Sequence, residues 1–194
     1  MEVEFKDGLP VLSFVTTEAF AEWVETHVRE AGLWLKIAKK DSGEMTITYA
    51  QALDVALCYG WIDGQRQGYD AVYFLQRFKP RRAKSIWSKI NVAKVSELIQ
   101  AGKMRAPGLA AIEAAKADGR WDAAYDGQRS MSTPEDFAAA LEANPKAKAF
   151  WATLNKANIF AFNYRIRSAK KPELRQARIE KFIAMLNEGK VSRL

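Results

Sequence analysis

The sequence predicts an α+β fold that is helix-rich, with a small antiparallel sheet in the N-terminal half packed against a helical C-terminal half. Two segments before Pro80 have the character of strands: the apolar run LWLKIA behind Gly32, and the alternating run at residues 71–79. Around them, apolar residues recur at helical spacing between caps and stops. Beyond Asn91 only the helical spacing remains.

The opening, MEVEFKDGLPVLSF, reads as an extended lead-in, with Pro10 ahead of alternating Val11, Leu12 and Phe14. Thr17 offers an N-cap for a first helix. On it Phe20, Trp23, Val24, His27, Val28 and Ala31 follow the i, i+3, i+4, i+7 spacing of one buried stripe, and Gly32 ends it. His27, the only histidine, lies on that stripe, where a packed ring with one hydrogen-bond partner is the plainer expectation than catalysis. LWLKIA follows as a strand, then a turn at residues 39–43 and a brief extended start at Thr46 and Ile47. Thr48 with Gln51 three residues on is a capping-box pattern. Tyr49, Ala52, Leu53, Ala56 and Leu57 form the apolar face of that helix, and Gly60 stops it. Cys58 sits off the stripe with no neighbouring cation in sequence and is expected to pack rather than react.

Residues 61–66 and 71–79 form a hairpin candidate joined through Gln67, Gly68, Tyr69 and Asp70. Its second arm separates Val72, Phe74, Gln76 and Phe78 from Ala71, Tyr73, Leu75, Arg77 and Lys79 on the opposite face. Pro80 closes it, since proline cannot donate to a ladder. Asn91 is expected to cap a helix carrying Val92, Val95, Leu98 and Ile99. Pro107 fits the first turn of another, and Thr133 with Pro134 opens a third as cap and first residue. Pro145 breaks that one, with Ala147, Phe150, Trp151 and Leu154 marking the next. The last helix starts near Pro172, with a stripe of Ile179, Phe182, Ile183 and Leu186. No repeat or clear linker divides the chain, so residues 1–194 read as a single domain whose softest point is 120–133.

Composition narrows the classes. At 194 residues and 48% hydrophobic content the chain can bury a core, which argues against disorder. The N-terminus carries acids where a signal peptide needs positive charge, and no run approaches the roughly 18 apolar residues of a membrane span. A single cysteine leaves no pair for an internal disulfide and no cysteine cluster for a metal. A cytoplasmic protein without cofactor, metal or membrane insertion is the expectation. The net charge of +7 fits either an anionic partner or simply a lysine-rich surface.

The chemistry concentrates in residues 57–91, where basic and aromatic side chains are densest. There is no dinucleotide fingerprint, phosphate loop or H-E-x-x-H, and one histidine leaves no parts for a histidine triad. Asp63, between Trp61 and Gly64, is the carboxylate best placed for acid–base work, since apolar shielding raises a carboxyl pKa. Capping the tight turn through its own backbone is the competing expectation. Arg81, Arg82, Lys84, Ser85, Ser88 and Asn91 offer donors for a phosphate or carboxylate, with Trp61 and Trp87 as aromatic neighbours. A solvated basic turn with Trp87 as a buried anchor explains the same residues.

These stretches carry a resemblance. ALCYGWIDG, RFKPRRAKSIWSKIN, GKM with AKADGRW, and AKKPELRQARIEK resemble, in order and over nearly the whole chain, blocks of the bacterial YdeI/OmpD-associated, or bacteriocin-protection, family. The resemblance implies a small cytoplasmic bacterial protein, tied by name to stress or bacteriocin resistance and to no reaction. It implies weight on Gly60, Trp61, Ile62, Asp63 and Gly64, then on Pro80, Arg81, Arg82, Ser85, Trp87, Ser88 and Asn91. Lys79 and Leu174 depart from it, standing where similar sequences have threonine.

Three functions follow as expectations. The first is a binding protein for a small anionic ligand at residues 61–91, with nucleic acid as one form of that ligand. The second is an enzyme on a small anionic substrate, with Asp63 as acid or base and Arg81 and Arg82 as the clamp. The third is a module docking an acidic partner, including through Arg165, Arg167, Lys170 and Lys171.

Overall fold

The structure, a computed structural model, describes residues 3–27, 30–127 and 131–191. Val28 of the expected first stripe and residues 128–130 of the expected soft point lie outside the described residues. The chain forms two compact units, Met1–Tyr125 and Asp126–Leu194. The architecture is α+β, with a mixed five-stranded sheet in the N-terminal half and helices in the C-terminal half.

The N-terminal lead-in folds back on itself. Strands β1 (Phe5–Lys6) and β2 (Leu9–Leu12) pair antiparallel around Asp7 and Gly8, both at positive φ. Asp–Gly suits that turn, because both central residues of this tight hairpin need the left-handed region. Helix α1 (Thr17–Thr26) then crosses over, so β2 runs parallel to β3 (Leu33–Ala38). The sheet is therefore mixed rather than purely antiparallel. Thr16, not Thr17, caps α1, its hydroxyl accepting from the Ala19 N–H at 3.2 Å.

Helix α2 (Tyr49–Cys58) has the expected capping box, with Thr48 and Gln51 each satisfying the other's backbone N–H. Strands β4 (Trp61–Gly68) and β5 (Tyr73–Pro80) form the hairpin, giving the sheet order β1-β2-β3-β5-β4. Ala71 and Val72 belong to the turn rather than the strand, because the Asp70 carboxylate accepts the N–H groups of Val72 and Tyr73 at 2.7 and 2.6 Å. Thr46 and Ile47 form no strand, although the Thr46 hydroxyl accepts from the Ala38 N–H at 2.9 Å.

One sheet face carries Leu33, Leu35, Ile37, Phe74 and Phe78 into a core shared with Phe20, Val24, Leu53 and Leu57 of α1 and α2. Phe20 meets Phe78 edge-on with centroids 5.9 Å apart. Gly32 lets this core close: it sits at φ +120°, and a Cβ there would lie 2.3 Å from the Phe78 carbonyl oxygen.

Two further helices complete the unit, α3 (Lys89–Gln100) and α4 (Ala106–Ala117). The C-terminal unit contains α5 (Glu135–Glu142), α6 (Pro145–Trp151), α7 (Lys156–Arg167) and α8 (Pro172–Asn187). Pro134 takes the N-cap of α5 in place of Thr133, whose hydroxyl instead receives the Asn163 amide at 3.3 Å. The Asn155 side chain caps α7, accepting from the Asn158 N–H at 2.9 Å. The expected α8 stripe is buried with Phe137, Phe162 and Ile166, and Phe162 meets Phe182 edge-on at 4.8 Å. No helix of the described residues is long and apolar enough to cross a membrane.

Candidate functional site

The site is built where the hairpin ends. Strand β4 bulges between Asp63 and Arg66, placing Gly64 and Gln65 opposite a single β5 residue. The buried Gln76 amide fills the bulge, donating to the Gly64 and Gln65 carbonyls at 2.9 and 3.3 Å. Just before the bulge, half-buried Asp63 receives the Tyr49 hydroxyl at 2.8 Å. Its side chain therefore bonds to the first residue of α2 rather than to its own turn. Burial raises the Tyr49 pKa well above the usual tyrosine value, and the charge and hydrogen bond of Asp63 add to the rise.

Beyond Pro80 the ladder continues for one more bond, the Arg81 N–H donating to the Gly60 carbonyl at 3.0 Å. That bond fixes Arg81 beside the start of β4. Its guanidinium lies 3.5 Å from the Trp87 ring centroid, and Nη1 donates to the Ile86 carbonyl at 3.1 Å. Nε and Nη2 are buried and find no acceptor among the described residues. Burial lowers the Arg81 pKa to about 10, Asp63 and Tyr125 oppose the fall, and Arg120 adds to it. Arg81 is thus a cation at neutral pH, within electrostatic reach of Asp63, with donors left over.

Trp87 beneath the guanidinium is 2% exposed and edge-on to Trp121 at 5.0 Å. Its indole N–H is also buried without an acceptor among the described residues. The segment is held from the far side by an isolated parallel bridge between Ser88 and Tyr125. There the Tyr125 N–H donates to the Trp87 carbonyl at 3.0 Å, and the Lys89 N–H to the Tyr125 carbonyl at 2.9 Å. Arg120 reaches the Ser85 carbonyl at 2.7 Å while its Nε binds the Asp118 carboxylate.

The other residues singled out from sequence have structural work. Trp61 is 1% exposed, packed edge-on to Trp23 in the core. The Ser85 hydroxyl accepts the Arg82 N–H at 2.9 Å and so closes the turn that leaves Arg82 and Lys84 exposed. Ser88, not Asn91, caps α3: its hydroxyl accepts the Asn91 N–H at 3.1 Å, which puts buried Asn91 inside the first turn. Arg81 and Trp87 come together, with Asp63 within electrostatic reach of Arg81 but bonded to Tyr49; Arg82 and Lys84 are exposed. Sequence reasoning missed Tyr49, read only as apolar, and Arg120 and Tyr125, in a stretch without periodicity.

His27 is the C-cap of α1, stacked on Trp23 at 4.2 Å with Nδ1 2.7 Å from the Trp23 carbonyl oxygen. Cys58 is buried, and burial raises its pKa, so its thiol is not activated.

Two family models match the chain. One, for a domain of unknown function (DUF8412), matches residues 12–111, more than half of the chain. The other, described as Bacteriocin-protection, YdeI or OmpD-Associated, matches residues 130–189. The chain belongs to the DUF8412 family and carries a YdeI/OmpD-associated domain in its C-terminal unit. Of the blocks behind the resemblance, AKKPELRQARIEK lies in the YdeI/OmpD-associated domain, while ALCYGWIDG and RFKPRRAKSIWSKIN lie in the DUF8412 match. Asp63 and Arg81 therefore both lie in the DUF8412 portion. No curated protein and no solved structure matches the chain.

Proposed function

We propose that the N-terminal unit binds a small anionic ligand, a carboxylate or phosphate, through Arg81. The observation that carries this reading is the guanidinium of half-buried Arg81, held over Trp87, with Nε and Nη2 buried and lacking an acceptor among the described residues. A buried donor without an acceptor is costly, so an incoming anion recovers free energy that the free protein forgoes. The stacked Trp87 holds the guanidinium plane fixed, which suits two parallel hydrogen bonds to one anion. Arg82 and Lys84, exposed beside it, contribute long-range attraction and a salt-dependent association rate.

Calorimetric titration with sulfate, phosphate and simple dicarboxylates tests the reading. Saturable binding that disappears in Arg81→Met supports it; equal binding by both proteins ends it. Single-stranded DNA in the same titration, at two salt concentrations, separates a nucleic-acid ligand from a small anion by its steep salt dependence.

A second reading rests on the Tyr49–Asp63 hydrogen bond beside Arg81. In it, Arg81 clamps an anionic substrate while Asp63 takes or gives a proton. Asp63→Asn separates the two, since it preserves anion binding and abolishes turnover only if a reaction exists. Bacteriocin protection, the phrase attached to the family of the C-terminal domain, adds a role to test: survival of a deletion strain under bacteriocin challenge.

A further inference from the structure

The C-terminal unit holds a second feature, independent of Arg81. Where α7 ends and α8 begins, a groove of about 520 Å³ opens between the two helices. Its rim is basic, with Arg165, Arg178 and Lys181, and its floor is apolar, with Leu174, Ala177 and Phe182. Leu174 is 49% exposed, a large aliphatic side chain left in water at the first turn of a helix. Among the described residues no carboxylate lines the groove, although Glu173 and Glu180 lie on the same helix.

The groove walls are pinned by the chemistry of the α7 terminus. The last carbonyls of a helix lack intrahelical donors and carry partial negative charge. Arg178 donates to the Arg165 carbonyl and to the Ser168 hydroxyl, and Arg175 donates to the Ile166 carbonyl at 3.0 Å. Arg175 also pairs with both Asp136 carboxylate oxygens through Nε and Nη2. These bonds fix the two helices against each other. Lys181 is left exposed beside the groove, with Arg167, Lys170 and Lys171 just before α8 adding to the positive field.

We propose that this groove docks an acidic peptide segment of a partner protein, one that carries a bulky apolar side chain among its carboxylates. Charge complementarity selects the acid. The apolar floor selects the anchor, and it also decides between classes of polyanion. A nucleic-acid backbone brings phosphates but no aliphatic group to bury on Leu174 and Phe182, and the groove has no exposed aromatic platform for a base. An acidic peptide satisfies both halves, with the apolar contact at the centre and the ion pairs at the rim.

The test is fluorescence anisotropy on the full chain with four labelled probes. They are a twelve-residue glutamate-rich peptide with a central Leu-Phe pair, the same peptide with Ser-Ser at the centre, polyglutamate, and a twelve-nucleotide single strand of DNA. The expected result is saturable binding of the first peptide, weakened at least about tenfold by the Ser-Ser exchange. Lys181→Glu and Leu174→Ser, both at exposed positions that spare the α7 capping bonds, each weaken it by a similar factor. Arg81→Met leaves it unchanged, which keeps this result apart from the fate of the anion site. Absence of saturable binding overturns the proposal. So does equal binding of polyglutamate, which reduces the groove to a charged surface, or tighter binding of the DNA strand.

Discussion

Arg81 lies over Trp87, its guanidinium carbon 3.5 Å from the ring centroid, yet two of its nitrogens are buried and bond to nothing among the described residues. The stack contributes about 1–2 kcal/mol at such a desolvated site. Burying a charge without full hydrogen bonding costs several kcal/mol. The second effect wins, so Arg81→Met is expected to leave stability unchanged or raise it by about 1 kcal/mol while abolishing anion binding. Urea denaturation beside calorimetric titration checks both halves. Loss of about 2 kcal/mol or more would make Arg81 a structural strut and remove the basis for a site.

The pH dependence of binding has a definite sign. Burial brings the Arg81 pKa down to about 10, and a bound anion favours the charged form, pushing it back up. Binding is therefore coupled to proton uptake above that value, so affinity is flat in neutral solution and falls as pH rises through about 10. Sulfate is the appropriate probe, because it does not titrate there. For stability the sign is opposite. The unfolded chain holds the Arg81 proton to higher pH than the native one, so this residue's penalty is relieved as pH climbs past about 10. An affinity for sulfate that is level from pH 8 to about 11 would place the binding elsewhere.

Much of this was legible from residues, and the failures have physical causes. The capping box at Thr48 and Gln51, the LWLKIA strand and the α8 stripe rest on local rules, and the structure reproduces each. The parallel β2–β3 pair was not legible, because β2 is four residues long and contains Pro10, a weak strand signal. Cys58, expected to pack although it lies off the stripe, is buried, and the close approach of Gly108 in α4 to its backbone carbonyl is a long-range contact that no local rule gives. Arg81 and Asp63 are candidates by residue type and position, each beside a competing structural expectation. Tyr49 was hidden by its own amphipathic nature, since one residue can both pad an apolar face and donate a hydrogen bond.

Tyr49→Phe is expected to destabilise the N-terminal unit by about 1.5 kcal/mol, the lower end for a hydrogen bond to a charged acceptor, because Asp63 is only half-buried. Asp63→Asn is expected to do less harm, since an amide oxygen still accepts from the Tyr49 hydroxyl. The order of the two variants in chemical denaturation is the informative result. If Asp63→Asn is the more damaging, the carboxylate charge is held by Arg81 more than by Tyr49.

Gly108 offers a prediction of the opposite sign to helix propensity. It lies inside α4, where alanine ordinarily stabilises by about 1 kcal/mol. Here a Cβ would sit 2.2 Å from the Cys58 carbonyl oxygen and 2.8 Å from its carbon, both fixed backbone atoms at the end of α2. That carbonyl also accepts the Arg105 N–H at 3.1 Å, so the two helices cannot part without losing a bond that ties α4 to α2. Gly108→Ala is therefore expected to destabilise by about 3 kcal/mol through overpacking. Gly102→Ala is the control: it has open space around it but a φ of +64°, so it should lose only about 1 kcal/mol from backbone strain. Thermal melts of the two variants decide the matter. If Gly108→Ala matches or exceeds the wild-type melting temperature, the close approach of α4 to α2 is wrong.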